Sequence, residues 1–340
     1  MDTEILSVSD LTVGFPTDDG LVTAVRGVTY TLKEREVLAI VGESGSGKSV
    51  SAMALMGLLP KSAQITGSVR YRDEEMLEMS PKRSREMRGQ NIAMIFQDPM
   101  TAMNPVYTIG DQLAEAYRSH HRVERKVALG KAVEMLDRVG IPQAKDRARS
   151  YPHEFSGGMR QRAMIAMAII NSPDIIIADE PTTALDVTVQ AQILETLIEV
   201  KDSVDAAVIL ITHDLGVVAG MAHRVLVMYA GRGVERAKVA DIFSRPRMPY
   251  TAGLLGSIPA LDSAGARLHP IGGAPPSLIR LPPGCPFAPR CPLVSERCES
   301  EEPMLLATDL PHHEVACHNW EQVAAAPDPT LLFRTEAVEA

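Results

Sequence analysis

The sequence predicts an α/β layer fold for residues 1–240, and three observations carry that expectation. Short apolar runs rich in Val and Ile, bounded by turn residues, recur at Val37–Val41 and at residues 175–178, 207–211 and 225–228. Buried parallel strands read as near-continuous runs of this kind. Between them lie apolar residues at helical spacing: Leu129, Ala132, Val133, Leu136 and Val139, closed by Gly140-Ile141-Pro142, and then Ile193, Leu194, Leu197 and Ile198. Strand-like runs vanish between Phe96 and Ser156, which predicts a helical subdomain over about residues 97–160. Strands alternating with helices assemble as layers around a sheet.

Composition narrows the function. A chain of 340 residues with 45% hydrophobic and 23% charged positions is an ordinary globular protein with room for two or three domains. The formal net charge of −9 argues against a nucleic-acid partner, since phosphate backbones demand a dense basic surface. The opening MDTEILSVSD carries acids and no apolar core, which predicts no secretory leader. Apolar runs such as residues 163–170 fall far short of the ~20 residues that span a bilayer. A membrane role is therefore expected to come through a partner.

The text changes after Phe243. Residues 270–292 hold eight prolines and read as an irregular extension, placed at residues 241–320, that needs a staple. All four cysteines, Cys285, Cys291, Cys298 and Cys317, lie within it, which reads as one local site. The last stretch, residues 321–340, is rich in Ala and Pro and is expected to be a poorly ordered tail. There is no internal repeat, so one nucleotide-binding unit is expected.

The strongest motif is Gly42-Glu43-Ser44-Gly45-Ser46-Gly47-Lys48-Ser49, between the strand Val37–Val41 and a helical run. It matches the phosphate-binding P-loop in the strand–loop–helix setting that this motif requires. Gly42, Ser44, Gly45 and Gly47 let backbone N–H groups curl around phosphate oxygens, and the helix start adds its positive dipole end. Lys48 offers a compact charge to the β- and γ-phosphates, and the Ser49 hydroxyl is a ligand for Mg²⁺. Further on, the apolar run 175–178 ends in Asp179-Glu180, placing two carboxylates at the sheet edge where α/β folds bind ligands. Asp179 suits Mg²⁺, and Glu180 suits the polarisation of an attacking water.

Four further pieces decide which P-loop NTPase this is. Ser156-Gly157-Gly158-Met159-Arg160-Gln161 precedes a helical run, Gln97 follows the apolar run 92–96, His213 follows the run 207–211, and Ala184-Leu185-Asp186 follows Asp179-Glu180. In this order they resemble the ATP-binding-cassette family: its signature motif, glutamine loop, switch histidine and dimer-contact loop. The resemblance implies an ATPase whose sites form between two chains, the P-loop of one facing Ser156 and Gly158 of the other, with Asp186 at the contact. It implies catalytic roles for Glu180, His213 and Gln97, with Gln97 also reaching Mg²⁺, and an adenine-stacking role for Phe15. The signature here begins at Phe155 and ends at Met159, where the family's commonest form has Leu and Gln; Ser156 and Gly158 are intact.

The resemblance is closer still to the oligopeptide/dipeptide/nickel importer ATPases. It is carried by Phe96-Gln97-Asp98-Pro99-Met100-Thr101, by Ala178-Asp179-Glu180-Pro181-Thr182-Thr183, and by the tail residues Pro249-Tyr250-Thr251, Cys285-Pro286, Pro289-Arg290-Cys291-Pro292, Arg297-Cys298 and Cys317. It implies a peripheral subunit on the cytoplasmic face of the inner (plasma) membrane. Two transmembrane permease subunits, a second related ATPase subunit and an extracytoplasmic substrate-binding protein would be its partners. Peptides are the expected cargo, with nickel or another small solute as the alternative and a non-transport ATPase as a weaker one. Similar tails hold a [4Fe–4S] cluster, for which four thiolates suffice; His312, His313 and His318 keep zinc open. The distance of the cysteines from every ATP motif in sequence suggests a stabilising or docking role.

Overall fold

A computed structural model describes residues 3–18, 20–183, 185–257 and 270–333. Strands β1 (Glu4–Thr17) and β2 (Gly20–Lys33) pair antiparallel, and β3 (Val37–Val41) then enters a second sheet, followed by helix α1 (Lys48–Leu55). Strand β4 (Gln64–Tyr71), with the short β5 (Glu74–Glu75), completes the first sheet in the order β2-β1-β4-β5. Helix α2 (Pro81–Met87) leads to β6 (Ile92–Ile95).

No strand occurs among the described residues from there to residue 174, in agreement with the expected helical insertion. Its helices are α3 (Pro99–Ala102), α4 (Ile109–Arg118), α5 (Arg125–Arg138), α6 (Ala144–Arg147) and α7 (Gly157–Ile169). The chain then alternates β7 (Ile175–Asp179), α8 (Val187–Ser203), β8 (Ala207–Thr212), α9 (Leu215–Met221), β9 (Arg224–Tyr229) and β10 (Arg232–Lys238). After α10 (Val239–Ser244) and α11 (Pro249–Gly256) come α12 (Glu296–Ser300), β11 (Leu306–Ala307), β12 (Glu314–Val315) and α13 (Trp320–Ala325). The large sheet runs β11-β12-β10-β9-β3-β8-β7-β6, with β9, β3, β8, β7 and β6 parallel.

That sheet divides the core. Along β3, Val37, Ala39 and Val41 face one apolar layer while Leu38 and Ile40 face another; β8 and β9 alternate in the same way. One face is covered by the helices and the extension, the other by the antiparallel sheet and α1. Burial on both sides is why these strands are apolar throughout. The antiparallel sheet was missed in the sequence because β1 and β2 are interrupted by register shifts that blur their alternation.

The extension is built into the same body. Strand β12 pairs with β10, and Tyr250, Phe287, Val315 and Ala316 are buried in the helix-side core. Arginines stitch it down: Arg26 and Arg232 to Glu302 and Arg236 to Glu314, while Arg247 pairs with Asp309 within the extension itself. The loose tail expected from residue 321 is corrected in part. Helix α13 buries Val323, and Phe333 packs against the Phe287 ring at 6.2 Å between centroids. Two apolar anchors suffice to order a segment whose composition is otherwise that of a tail; residues 334–340 lie outside the described residues.

Candidate nucleotide site and cysteine cavity

Four adjacent parallel strands end level with one another, which brings distant motifs to one edge. Val41 lies beside Thr212, Asp179 beside Ile211, and Ile95 beside Ala178. The residues just beyond these ends are Gly42, His213, Glu180 and Gln97. A parallel sheet aligns strand ends, and its carboxyl edge is where such folds bind ligands.

The P-loop conformation requires glycine at defined points. Gly47 has φ +98° and a Cβ there would stand 2.4 Å from the Ala24 carbonyl oxygen; at Gly42 the Met228 carbonyl would be 2.2 Å away. At Gly45, φ is +78° and nothing lies within 4 Å of where a Cβ would be, so this side of the loop is open to a ligand. Lys48 is buried and its ammonium donates to the carbonyls of Gly42 at 2.8 Å and Glu43 at 3.0 Å. Ser46, also buried, has a hydroxyl with no partner. Buried polar atoms without partners are rare, and one inside this loop suits a phosphate acceptor. Ser44 is exposed on the loop.

Asp179 is the last residue of β7 and Glu180 follows it. Ser49 Oγ donates to Asp179 Oδ1 at 2.9 Å, so the two expected Mg²⁺ ligands already touch. Burial holds the Lys48 pKa down, countered by the charges of Glu180, Asp179 and Glu43; burial likewise pushes Asp179 up, countered by the Ser49 hydrogen bond. In both groups desolvation outweighs the neighbouring groups that favour the charged form. Polyphosphate beside the lysine and a divalent cation beside the carboxylate would each favour the charged form further, so the donor set fits both.

Glu180 holds φ +46°, a left-handed conformation that costs a non-glycine residue of order 1 kcal/mol. Its N–H is fixed by the Ile211 carbonyl at 2.8 Å, and its carboxylate receives Gln97 Nε2 at 3.0 Å and Thr183 Oγ1 at 2.8 Å. His213 Nδ1 stands 3.6 Å from the same carboxylate. Three of the residues singled out in sequence, Gln97, Glu180 and His213, thus converge. Thr183 was given no role there, although it stood in the family-like stretch 178–183; its own signal was a hydroxyl three residues after the acid.

The remaining candidates are placed elsewhere. Ser156 caps α7, its hydroxyl accepting the Met159 N–H at 3.3 Å, and Gly158 packs so tightly on α8 that a Cβ would stand 2.7 Å from Val189. Asp186 caps α8 by accepting the Val189 N–H at 3.0 Å; Ala184 lies outside the described residues. Phe15 is half-buried near the end of β1, against the core layer shared with α1. No described hydrogen bond joins Ser156, Asp186 or Phe15 to the P-loop.

Cys285, Cys291, Cys298 and Cys317 line one small cavity, together with Met248, Phe287, His318 and Asn319. Burial pushes the Cys285 thiol up, Cys291 to about 11 and Cys317 to about 12. Asn319 donates from its backbone to Cys317 Sγ at 3.4 Å and from its side chain to Cys298 Sγ at 3.6 Å. Among the described residues no three His, Cys, Asp or Glu side chains are grouped so as to hold a metal ion. His313, one of the possible nitrogen ligands, is buried at 2.7 Å from Glu235 instead.

A mixed sheet with a P-loop, a paired Ser49 and Asp179 and a hydrogen-bonded Glu180 at one edge defines a nucleotide-binding cassette. The family profile described as ABC transporter matches residues 25–183, and that of the oligopeptide/dipeptide transporter C-terminal region matches residues 234–298. The oligopeptide transport ATP-binding protein OppD of Mycobacterium tuberculosis is 58% identical over 98% of this chain and 55% of its own length. The dipeptide transport ATP-binding protein DppD of Bacillus subtilis is 56% identical over 85% of this chain and 87% of its own. A solved dimeric cassette, MJ0796, in a post-hydrolysis state bound to ADP and Pi, superposes with a TM-score of 0.62 at 25% identity, over 69% of this chain and 98% of that one. The chain belongs to the ATP-binding-cassette family, in its oligopeptide/dipeptide transporter branch. It spans about half the length of the mycobacterial relative.

Proposed function

We propose that this chain is the ATP-binding and ATP-hydrolysing subunit of an importer for di- or oligopeptides, held at the cytoplasmic face of the membrane by permease subunits. The observation that carries the reading is the convergence of Gln97, Thr183 and His213 on the Glu180 carboxylate, beside the Ser49–Asp179 pair. Lys48, the buried Ser46 and the loop amides bind the phosphates; Ser49, Asp179 and Gln97 hold Mg²⁺, which when bound supplies charge for the developing phosphate oxygens. Glu180 orients the attacking water and accepts its proton, and His213 and Gln97 fix that carboxylate. Phe15 stacks on the adenine. Ser156, Gly158 and Asp186 act across a dimer, on the nucleotide of a second, related ATPase subunit. Among the described residues no helix is long and apolar enough to cross a membrane, so the permeases and an extracytoplasmic binding protein select and carry the peptide.

The cysteine cavity is read as the seat of a [4Fe–4S] cluster. What supports this reading is four thiols lining one cavity, since four thiolates suffice for such a cluster. The decisive experiment is uptake: cells lacking this gene are expected to lose import of a labelled dipeptide, regained with the wild-type chain but not with Lys48→Ala. Unimpaired peptide uptake with lost nickel uptake would move the cargo to the metal.

A further inference from the structure

The P-loop is gripped from outside by the extension. Glu43, its second residue, is held at both backbone and side chain by residues beyond 240. Its N–H donates to the Tyr250 hydroxyl at 2.8 Å, and its carboxylate receives both prongs of Arg290, at 2.7 and 2.9 Å. The Arg290 side chain is only 5% exposed. Its other donors go to the Gly272 carbonyl at 2.9 Å, the Ile271 carbonyl at 3.4 Å and the Tyr229 hydroxyl at 3.3 Å. It lies over the Tyr229 and Phe287 rings, 5.9 and 5.8 Å from their centroids, and Tyr250 packs on the same two rings. A planar fork so enclosed has one geometry, and it passes that geometry to Glu43. On the inner side, the Glu43 carbonyl receives the Lys48 ammonium at 3.0 Å. A single line of contacts therefore runs from the residue before Cys291 to the lysine of the phosphate loop.

We propose that Arg290 is a positioning residue for the nucleotide site, setting the P-loop through Glu43 so that order in the cysteine-bearing segment governs ATP affinity. The inference rests on residues 42–49 being the ATP site. Fully exposed ion pairs contribute little; here the arginine is 5% exposed and the glutamate 25%, so removing the arginine leaves a partly buried charge without its partner. That charge is the Glu43 carboxylate, inside a loop that must receive the negative phosphates.

The test uses the full chain and ATP binding measured by calorimetry, with and without Mg²⁺, for wild type, Arg290→Gln, Glu43→Gln and the double variant. Each single substitution is expected to weaken ATP binding on the order of 10-fold, and the double variant to be no weaker than the worse single. Arg290→Lys, which keeps the charge but not the fork, is expected to fall between wild type and Arg290→Gln. A merely structural arginine would lower the melting temperature and leave the affinity of the folded protein unchanged, which would overturn the inference. Glu43→Gln leaves every residue of the extension intact and decides the matter if Arg290→Gln does not fold: unchanged affinity refutes the coupling. Wild-type protein that does not bind ATP would instead overturn the reading of the site.

Discussion

Glu43 and Arg290 stand 247 residues apart in the chain and 2.7 Å apart in the fold. The pair joins the loop that surrounds phosphate to the segment that carries the cysteines. Distance in sequence had suggested a stabilising or docking role for this segment; in the fold β12 pairs with β10, and Arg290 reaches the P-loop at Glu43.

Substitution of Glu180 by Gln removes the proton acceptor while keeping its shape. The variant is expected to bind ATP as wild type does and to lose ~10²–10⁴-fold in turnover, the scale of a positioned general base. Phosphate release in single-turnover conditions measures this. A loss of only a few-fold would take Glu180 out of the chemistry.

Ser156 is both a helix cap and the proposed phosphate donor across the dimer, and two substitutions separate the roles. Ser156→Ala is expected to cost about 1 kcal/mol through the lost cap. Ser156→Asp keeps the cap and so the melting temperature, but sets a negative charge against the γ-phosphate; ATPase activity should vanish. Near-normal hydrolysis by Ser156→Asp would show that the serine acts only on its own helix.

Two glycines make a matched pair. Gly47→Ala forces a side chain into φ +98° and against the Ala24 carbonyl at 2.4 Å, with an expected loss of about 1–3 kcal/mol and of nucleotide binding. Gly130→Ala, at an exposed position of α5 with nothing within 4 Å of its Cβ, should instead gain up to ~1 kcal/mol. Urea midpoints report both, and equal effects would contradict the local backbone argument.

Glu302 ties the extension to Arg26 and Arg232. Burial pushes its carboxyl up, but the hydrogen bonds and charges of the two arginines outweigh this and hold it below the ordinary 4.5. A depressed carboxylate contributes stability that is fully present above its unfolded pKa and lost as pH falls through the folded one. Glu302→Gln should therefore be less stable than wild type at neutral pH, and the gap should close as pH drops below 4.5. Melting curves across that range would show a constant gap if the ion pairs were irrelevant.

Anaerobically purified protein is expected to be brown, with about four irons per chain. Cys298→Ser should lose most of that iron, because a cluster short of one thiolate ligand is prone to loss and Cys298 is the one buried residue of the four. Colourless anaerobic protein containing one zinc per chain would replace the cluster.

The sequence alone determined what is local. Val37–Val41, the P-loop and α1 form a contiguous strand–loop–helix unit, and the apolar runs ending in Asp179 and Thr212 announce buried strands because both of their faces are covered. Glu180 could be named from its place after such a run, and Gln97 and His213 from the family resemblance, but only strands ending level place Gln97 and His213 within reach of one carboxylate. Tertiary structure alone decided the rest. Tyr250 and Arg290 belong to no periodic pattern, and their partner Glu43 lies more than 200 residues away in the chain. The antiparallel sheet, the ordered residues up to 333 and the grip on Glu43 all depend on long-range pairing. A contact between residues hundreds of positions apart leaves no periodicity in either stretch of sequence, because periodicity records which face is buried and not what covers it.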